Sequence, residues 1–168
     1  MKITTKTGDF GETSNLTGKR VKKNSLEIEI VGQIDELQSV LGVVKNFLKN
    51  EVDEFALIED VQSKLYDFMS IISGLKGPME KKFESEIIES LEKLENYISI
   101  KNEGISFNKF VLPGKNTISS FLHLARSVCR RCERVFVAYL EEENIDCEIL
   151  CKYMNRLSDF LFIMAEVF

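Results

Sequence analysis

Apolar residues recur along most of this chain with the period of an α-helix. Ile30, Ile34, Leu37, Leu41, Val44 and Leu48 follow one another at alternating steps of four and three, one stripe of a helix from about Ser25 to Asn50. The stretch Glu27–Val31 alternates like a strand, but the longer period outweighs it. A second stripe runs Ile58, Val61, Leu65, Phe68, Ile72 and Leu75 and stops at Gly77-Pro78. A third runs Phe83, Ile87, Leu91, Leu94 and Ile98, with Glu and Lys filling the other face, and Gly104 closes it. After Pro113-Gly114 a fourth helix begins, with Asn116 or Thr117 placed to cap it, and continues to about Glu143. A fifth opens near Asp146 and carries Leu150, Tyr153, Leu157, Leu161, Met164 and Phe168. Both prolines, Pro78 and Pro113, stand beside a glycine and read as breaks between elements. The segment Lys2–Asn24 has no helical period and is rich in Thr, Gly and Lys, so it reads as a loop with at most a short extended piece. Five amphipathic helices, short connections and almost no strand signal predict an all-α, five-helix antiparallel bundle behind an N-terminal loop.

Composition narrows the chemistry. A chain of 168 residues fits one domain and is long enough to bury a real core. With 44% hydrophobic and 29% charged residues it is globular rather than disordered. A net charge of −5 argues against nucleic acid or an anionic membrane as a general partner. No apolar run approaches the ~18 residues of a membrane span, and the start, MKITTKTGDFGE, lacks the apolar region of a signal peptide, so a cytoplasmic location is expected. His123 is the only histidine. A multi-His zinc site within one chain is therefore excluded, and a Ser-His-Asp triad would have to use that residue. The cysteines, Cys129, Cys132, Cys147 and Cys151, are spaced C-x2-C and C-x3-C. That loosely matches a zinc site, but both pairs fall in helical sequence, where such neighbours share a face for packing reasons. No protein metal site is expected.

Two segments are not explained as core. The first is Thr5-Lys6-Thr7-Gly8-Asp9-Phe10-Gly11-Glu12-Thr13-Ser14, followed by Gly18-Lys19-Arg20-Val21-Lys22-Lys23. Glycines that admit backbone N–H groups, hydroxyl donors and lysine charge suit a polyphosphate, although no G-x-x-x-x-G-K-[ST] loop occurs. By composition alone a solvated, flexible terminus remains the alternative. The second lies in helix four, where Arg126, Arg130 and Arg134 recur every four residues with Arg131 beside them. Like charges at that spacing destabilise a helix by a few tenths of a kcal/mol per pair. Carboxylates on neighbouring helices would compensate them structurally; phosphate would do so functionally, through the bidentate guanidinium. His123 reads as a satisfied helix residue rather than a catalyst. In helix five, Asn155, Arg156, Ser158 and Asp159 form a polar cluster that needs either inter-helix partners or a ligand.

Together these segments resemble the PduO-type ATP:cob(I)alamin adenosyltransferases. The matching motifs are T-K-T-G-D-x-G-x-T-S at Thr5–Ser14, G-x-R-V-x-K at Gly18–Lys23, G-x-x-D-E-L-x-S at Gly32–Ser39, F-V-L-P-G at Phe110–Gly114, A-R-x-V-C-R-R-x-E-R at Ala125–Arg134 and N-R-L-S-D at Asn155–Asp159. They span nearly the whole chain in the family's order. The resemblance implies one adenosyltransferase domain, residues 1–24 forming a nucleotide loop and 25–168 the bundle, assembled as a homotrimer with active sites between subunits. It implies transfer of the 5′-deoxyadenosyl group of ATP to the cobalt of reduced cobalamin, with Mg²⁺ on the ATP phosphates and a reductase as a further partner. Carried onto this chain, Thr5, Lys6, Thr7, Gly8, Thr13, Ser14 and Lys23 would surround the triphosphate. Arg130, Arg131, Glu133, Arg134 and Asn155 would form the nucleotide wall. Arg126 and Asp35 would bridge subunits beside the site, and Phe110 would occupy the lower face of the corrin. Three features depart from the family pattern: Asn15 stands where an apolar residue is usual, Cys132 replaces a small one, and the chain stops at Phe168, before the further tail typical of the family. The competing reading is a non-catalytic helical bundle with purely structural arginines.

Overall fold

Ser25 adopts extended backbone and starts the first helix, α1, Leu26–Phe47, whose predicted stripe from Ile30 to Leu48 is buried throughout. The structure, a computed structural model, describes residues 6–73, 81–105 and 110–168. Among these, α2 spans Val52–Ile72, α3 Lys81–Asn102, α4 Thr117–Glu143 and α5 Glu148–Val167. The predicted end of the second stripe, Leu75 and Gly77-Pro78, lies outside the described residues. Asn116 is the N-cap of α4, its side chain accepting from Ser119 N at 2.8 Å. Asn144, left-handed at φ 52, ends α4 while Ile145 N donates back to Leu140 O.

Cross-helix contacts fix the topology. α1 and α2 are antiparallel, clasped where Gln38 Nε2 donates to Gln62 O and Gln62 Nε2 returns the bond to Gln38 O. α2 and α3 are antiparallel through Lys64–Glu86. α1 and α4 are antiparallel, with Phe47 stacked on Phe121 at one end and Arg131 bonded to Gln33 toward the other. α4 and α5 are antiparallel, with His123 near Glu166 and Asn155 bonded to Glu133. α3 and α5 run parallel, as Ser90–Tyr153 and Tyr97–Phe160 show. The neighbours thus close into a ring, α1–α2–α3–α5–α4, around an apolar centre where Phe68 meets Phe83, Phe136 and Tyr153. A partly buried polar chain crosses it: Ser90 Oγ donates to Asp60 Oδ2 and lies 3.1 Å from Tyr153 Oη. Fully paired, such a chain fixes the register of α2, α3 and α5.

The N-terminal segment is more ordered than its composition suggests. Glu12–Ser14 (β1) and Arg20–Lys22 (β2) pair antiparallel with Thr13 opposite Val21. No helix among the described residues is long and apolar enough to cross a membrane.

Candidate functional site

The hairpin is built by its turn. Asn15 Oδ1 accepts from Thr17 N at 3.1 Å, Thr17 Oγ1 at 2.7 Å and Lys19 N at 3.0 Å, and Gly18 supplies the left-handed position at φ 81. Asn15 Nδ2 donates to Glu27 Oε1 at 3.1 Å, which ties the turn to the first turn of α1. The chain before β1 folds back over the pair: Arg20 Nη2 donates to Thr7 O at 2.9 Å, and Lys23 N donates to Gly11 O at 2.9 Å. A Cβ on Gly8 would lie 3.2 Å from Lys23 Nζ, so the ammonium sits close against this backbone. Thr7, Gly8 and Lys23 are thereby brought together. Lys6, at φ 61, and Ser14 are exposed, and Thr13 is half-buried. Thr5 lies outside the described residues.

The helix-four arginines do not act as one group. Arg130 and Arg134 are exposed, and Arg134 Nη1 donates to Arg130 O at 2.9 Å. Arg131, one residue and about 100° further round the helix, turns to α1. There its Nε donates to Gln33 Oε1 at 2.7 Å and its Nη2 pairs with Glu36. Glu133 Oε1 accepts from Asn155 Nδ2 at 3.2 Å, joining α4 to α5 beside Arg130 and Arg134. Arg156 is taken by Glu95 and Asp159, and Ser158 by the carbonyl of Asn155, so much of the polar cluster on α5 is an internal network. Gln33 and Glu36 were not singled out from sequence. The signal was present, since Glu36 follows Asp35 in the quoted motif and shares a helix face with Gln33 three residues earlier.

Arg126 lies on a different part of α4. Its guanidinium carbon sits 5.9 Å from the centre of the Phe162 ring, and its Nε is buried without a hydrogen-bond partner. Asp35 is exposed, and the chain makes no ion pair between these two residues. His123, buried beside Arg126, has Nε2 3.3 Å from Glu166 Oε1. Burial foremost, then the Arg126 charge, holds its pKa below the ordinary value, against the pull of Glu166.

The N-terminal end of α4 opens a groove of about 530 Å³ lined by Gly114, Asn116, Thr117, Ser120, Phe121 and Leu124. Phe110 and Leu112, which precede it in the chain, are 101% and 85% exposed, so Phe110 caps no core in this chain. Lys115 Nζ donates to Glu166 O and Asn116 Nδ2 to Phe168 O, which pins the end of α5 beside the groove.

The cysteines belong to the packing. Cys129 and Cys132 have no exposed surface, and Cys129 Sγ lies 3.5 Å from Met154 O. Burial pushes the Cys132 thiol up to about 12 and raises the other three as well. Such thiols stay protonated at neutral pH and are weak nucleophiles and poor ligands. Among the described residues no three His, Cys, Asp or Glu side chains converge as a metal site.

Known proteins are similar to this chain in sequence and fold. A corrinoid adenosyltransferase of Bacillus subtilis is 37% identical over 171 residues, covering 99% of this chain and 86% of that protein. The corrinoid adenosyltransferase PduO of Salmonella typhimurium is 35% identical over 169 residues, and the match covers 99% of this chain but 49% of that longer protein. Among solved structures, a phenylalanine-to-alanine variant of a PduO-type ATP:corrinoid adenosyltransferase from Lactobacillus reuteri, complexed with cobalamin and ATP, superposes with a TM-score of 0.83 at 30% identity, covering 98% of this chain and 91% of that one. An arginine-to-lysine variant complexed with ATP superposes with a TM-score of 0.81 at 30% identity, covering 98% and 93%. The family model described as cobalamin adenosyltransferase matches residues 3–168, and the chain belongs to that family.

Proposed function

We propose that this chain transfers the 5′-deoxyadenosyl group of ATP to the cobalt of reduced cobalamin and releases triphosphate. Family membership supports the reaction, and the observation that carries it onto these residues is the hairpin. It sets the Lys23 ammonium over the Gly8 backbone beside Thr7, and its tie at Glu27 lies about two helical turns along α1 from the Gln33–Glu36–Arg131 contact. Thr5, Lys6, Thr7, Gly8, Thr13, Ser14 and Lys23 would hold the triphosphate, and Arg130, Arg134, Glu133 and Asn155 the rest of the nucleotide. Arg131 would join them while braced by Glu36.

The reaction is substitution at the ribose 5′ carbon. The electron pair of Co(I) forms the cobalt–carbon bond as the carbon–oxygen bond breaks, and that bond's pair leaves with the triphosphate. The nucleophile belongs to the substrate, so no activated Ser, Cys or His is required. The protein's share is to hold ATP in line and to stabilise the growing charge on the leaving phosphate. Mg²⁺ would arrive on the ATP phosphates, in keeping with a cradle of hydroxyls, amides and lysine rather than a carboxylate cage. Phe110 would press on the lower face of the corrin and keep an axial base from cobalt, which makes Co(II) easier to reduce; a reductase would supply the electron.

Two observations support an assembly with sites between subunits, which we take to be a homotrimer. Among the described residues, Arg126 has a buried Nε without a hydrogen-bond partner and Asp35 an exposed carboxylate without an ion pair. The groove on one chain is also of the size that suits a drug-sized ligand, and a corrinoid is far larger. The non-catalytic alternative fares worse, because among the described residues only Arg131 of the four clustered arginines pairs with a carboxylate. The test is an anaerobic assay with ATP and chemically reduced cobalamin, following the cobalt–carbon product by absorbance. No product at saturating substrates would refute the assignment.

A further inference from the structure

We propose that Asn15 is a positioning residue for ATP: through its bond to Glu27 it sets the hairpin against α1 and so places Lys23, Gly8 and Thr7 for the triphosphate. This rests on the reading of the hairpin as the triphosphate cradle. Asn15 does two separable things. Its Oδ1 closes the turn by accepting from Thr17 N, Thr17 Oγ1 and Lys19 N, all within the hairpin. Its Nδ2 donates to Glu27 Oε1 at 3.1 Å, outside the hairpin. A second tie among the described residues is at the hairpin's base, where Ser25 N and Ser25 Oγ both donate to Lys22 O. The hairpin buries little of itself, with Phe10 and Leu16 at 93% and 72% exposure, so apolar packing does not hold its angle. The Asn15–Glu27 bond acts at the far end of the hairpin from Ser25. Two anchors at opposite ends fix an orientation where one leaves a pivot. An apolar residue at position 15 could supply neither the acceptor nor the donor.

The two roles separate chemically. Asn15→Asp keeps the oxygen that closes the turn but replaces the donor with a carboxylate facing Glu27, so the hairpin forms and its tie becomes a repulsion. Glu27→Gln alone keeps an acceptor for Asn15. In the double variant the new amide can donate to the new carboxylate, and the tie returns. Losing one such bond is expected to raise the KM for MgATP roughly three- to tenfold. At saturating ATP, kcat and the KM for cob(I)alamin should hold, because cobalt chemistry is not touched. Glu27→Gln should behave as wild type, and the double variant should recover most of the ATP affinity. A residue that served only the turn would show no rescue. Wild-type KM for MgATP in Asn15→Asp, or a double variant as impaired as the single one, overturns the proposal. Lys23→Ala separates the two levels. If it leaves the KM for MgATP unchanged, the cradle reading fails and takes the proposal with it. If it raises that KM while Asn15→Asp does not, only the role of Asn15 fails.

Discussion

Replacing Phe110 by alanine divides two roles that a sequence leaves entangled. An aromatic residue next to a helix start commonly caps the core, and deleting such a ring costs about 3–5 kcal/mol. Phe110 is 101% exposed and encloses no space. Its removal leaves no cavity, so it should behave as a surface substitution and move Tm by less than about 2 °C in a domain of this size. Phe160, with no exposed surface, is the internal contrast. Phe160→Ala should lower Tm by roughly 6–20 °C, the same loss of about 3–5 kcal/mol converted at 2–4 °C per kcal/mol. Function should divide the other way. On the corrin role proposed for Phe110, loss of its ring would leave the lower corrin face unshielded, so the four-coordinate Co(II) signal of the ATP complex should vanish from the electron paramagnetic resonance spectrum. Turnover from Co(II) with a biological reductant should fall far more than turnover from pre-formed Co(I). Folded protein that still shows four-coordinate Co(II) would refute the corrin role, and a Tm loss comparable to that of Phe160→Ala would refute the reading of its exposure.

Three further outcomes follow from the site. Arg130→Ala, whose guanidinium makes no ion pair with a described residue, should keep its Tm and lose about 1.5–3 kcal/mol of ATP binding, roughly 10- to 150-fold in Kd, measured by isothermal titration calorimetry. Gly18→Ala forces a side chain onto φ 81 with nothing in steric contact, so the cost of about 1–2 kcal/mol is purely backbone; the KM for ATP should rise, and Tm should fall by no more than about 2–8 °C. His123 stays neutral in the fold because its pKa is lowered from 6.5, so the unfolded chain takes up the proton first as pH falls. Stability should therefore drop on acidification through about 6.5 toward the folded value, and His123→Gln should flatten that part of the Tm–pH curve; an unchanged slope would rule His123 out as the titrating group.

The helices were legible because a helix in a closed ring buries one continuous stripe. All six residues from Ile30 to Leu48 that the period selects are at most 1% exposed. The hairpin was not legible, since strands of three residues leave no alternation to detect. Its order comes from the Asn15 turn and its bond to Glu27, twelve residues away, which no local pattern announces. The arginines show the same limit. Spacing put Arg126, Arg130 and Arg134 on one stripe, but only packing assigns Arg131 to α1 and Arg126 to the Phe162 ring. Cys132, odd against the family pattern, is explained by depth alone.

Helix α4 carries both kinds of information at once, and its energetics explain why the charged face can stay uncompensated. Its inner face, including Leu122, Ala125, Val128, Cys129, Cys132 and Phe136, is buried and touches both α1 and α5. Each such side chain contributes on the order of 1–3 kcal/mol, against a few tenths of a kcal/mol lost per like-charge pair on the outer face. Stability therefore does not require carboxylates opposite Arg130 and Arg134, and among the described residues only Arg131 pairs with one. A carboxylate there would have to be displaced before a phosphate could bind. On the proposed reading, positive charge held on a rigid helix would meet a polyanion without that cost. The same logic accounts for the missing nucleophile: when the attacking electron pair comes with one substrate, an enzyme needs rigid placement and complementary charge more than reactive side chains.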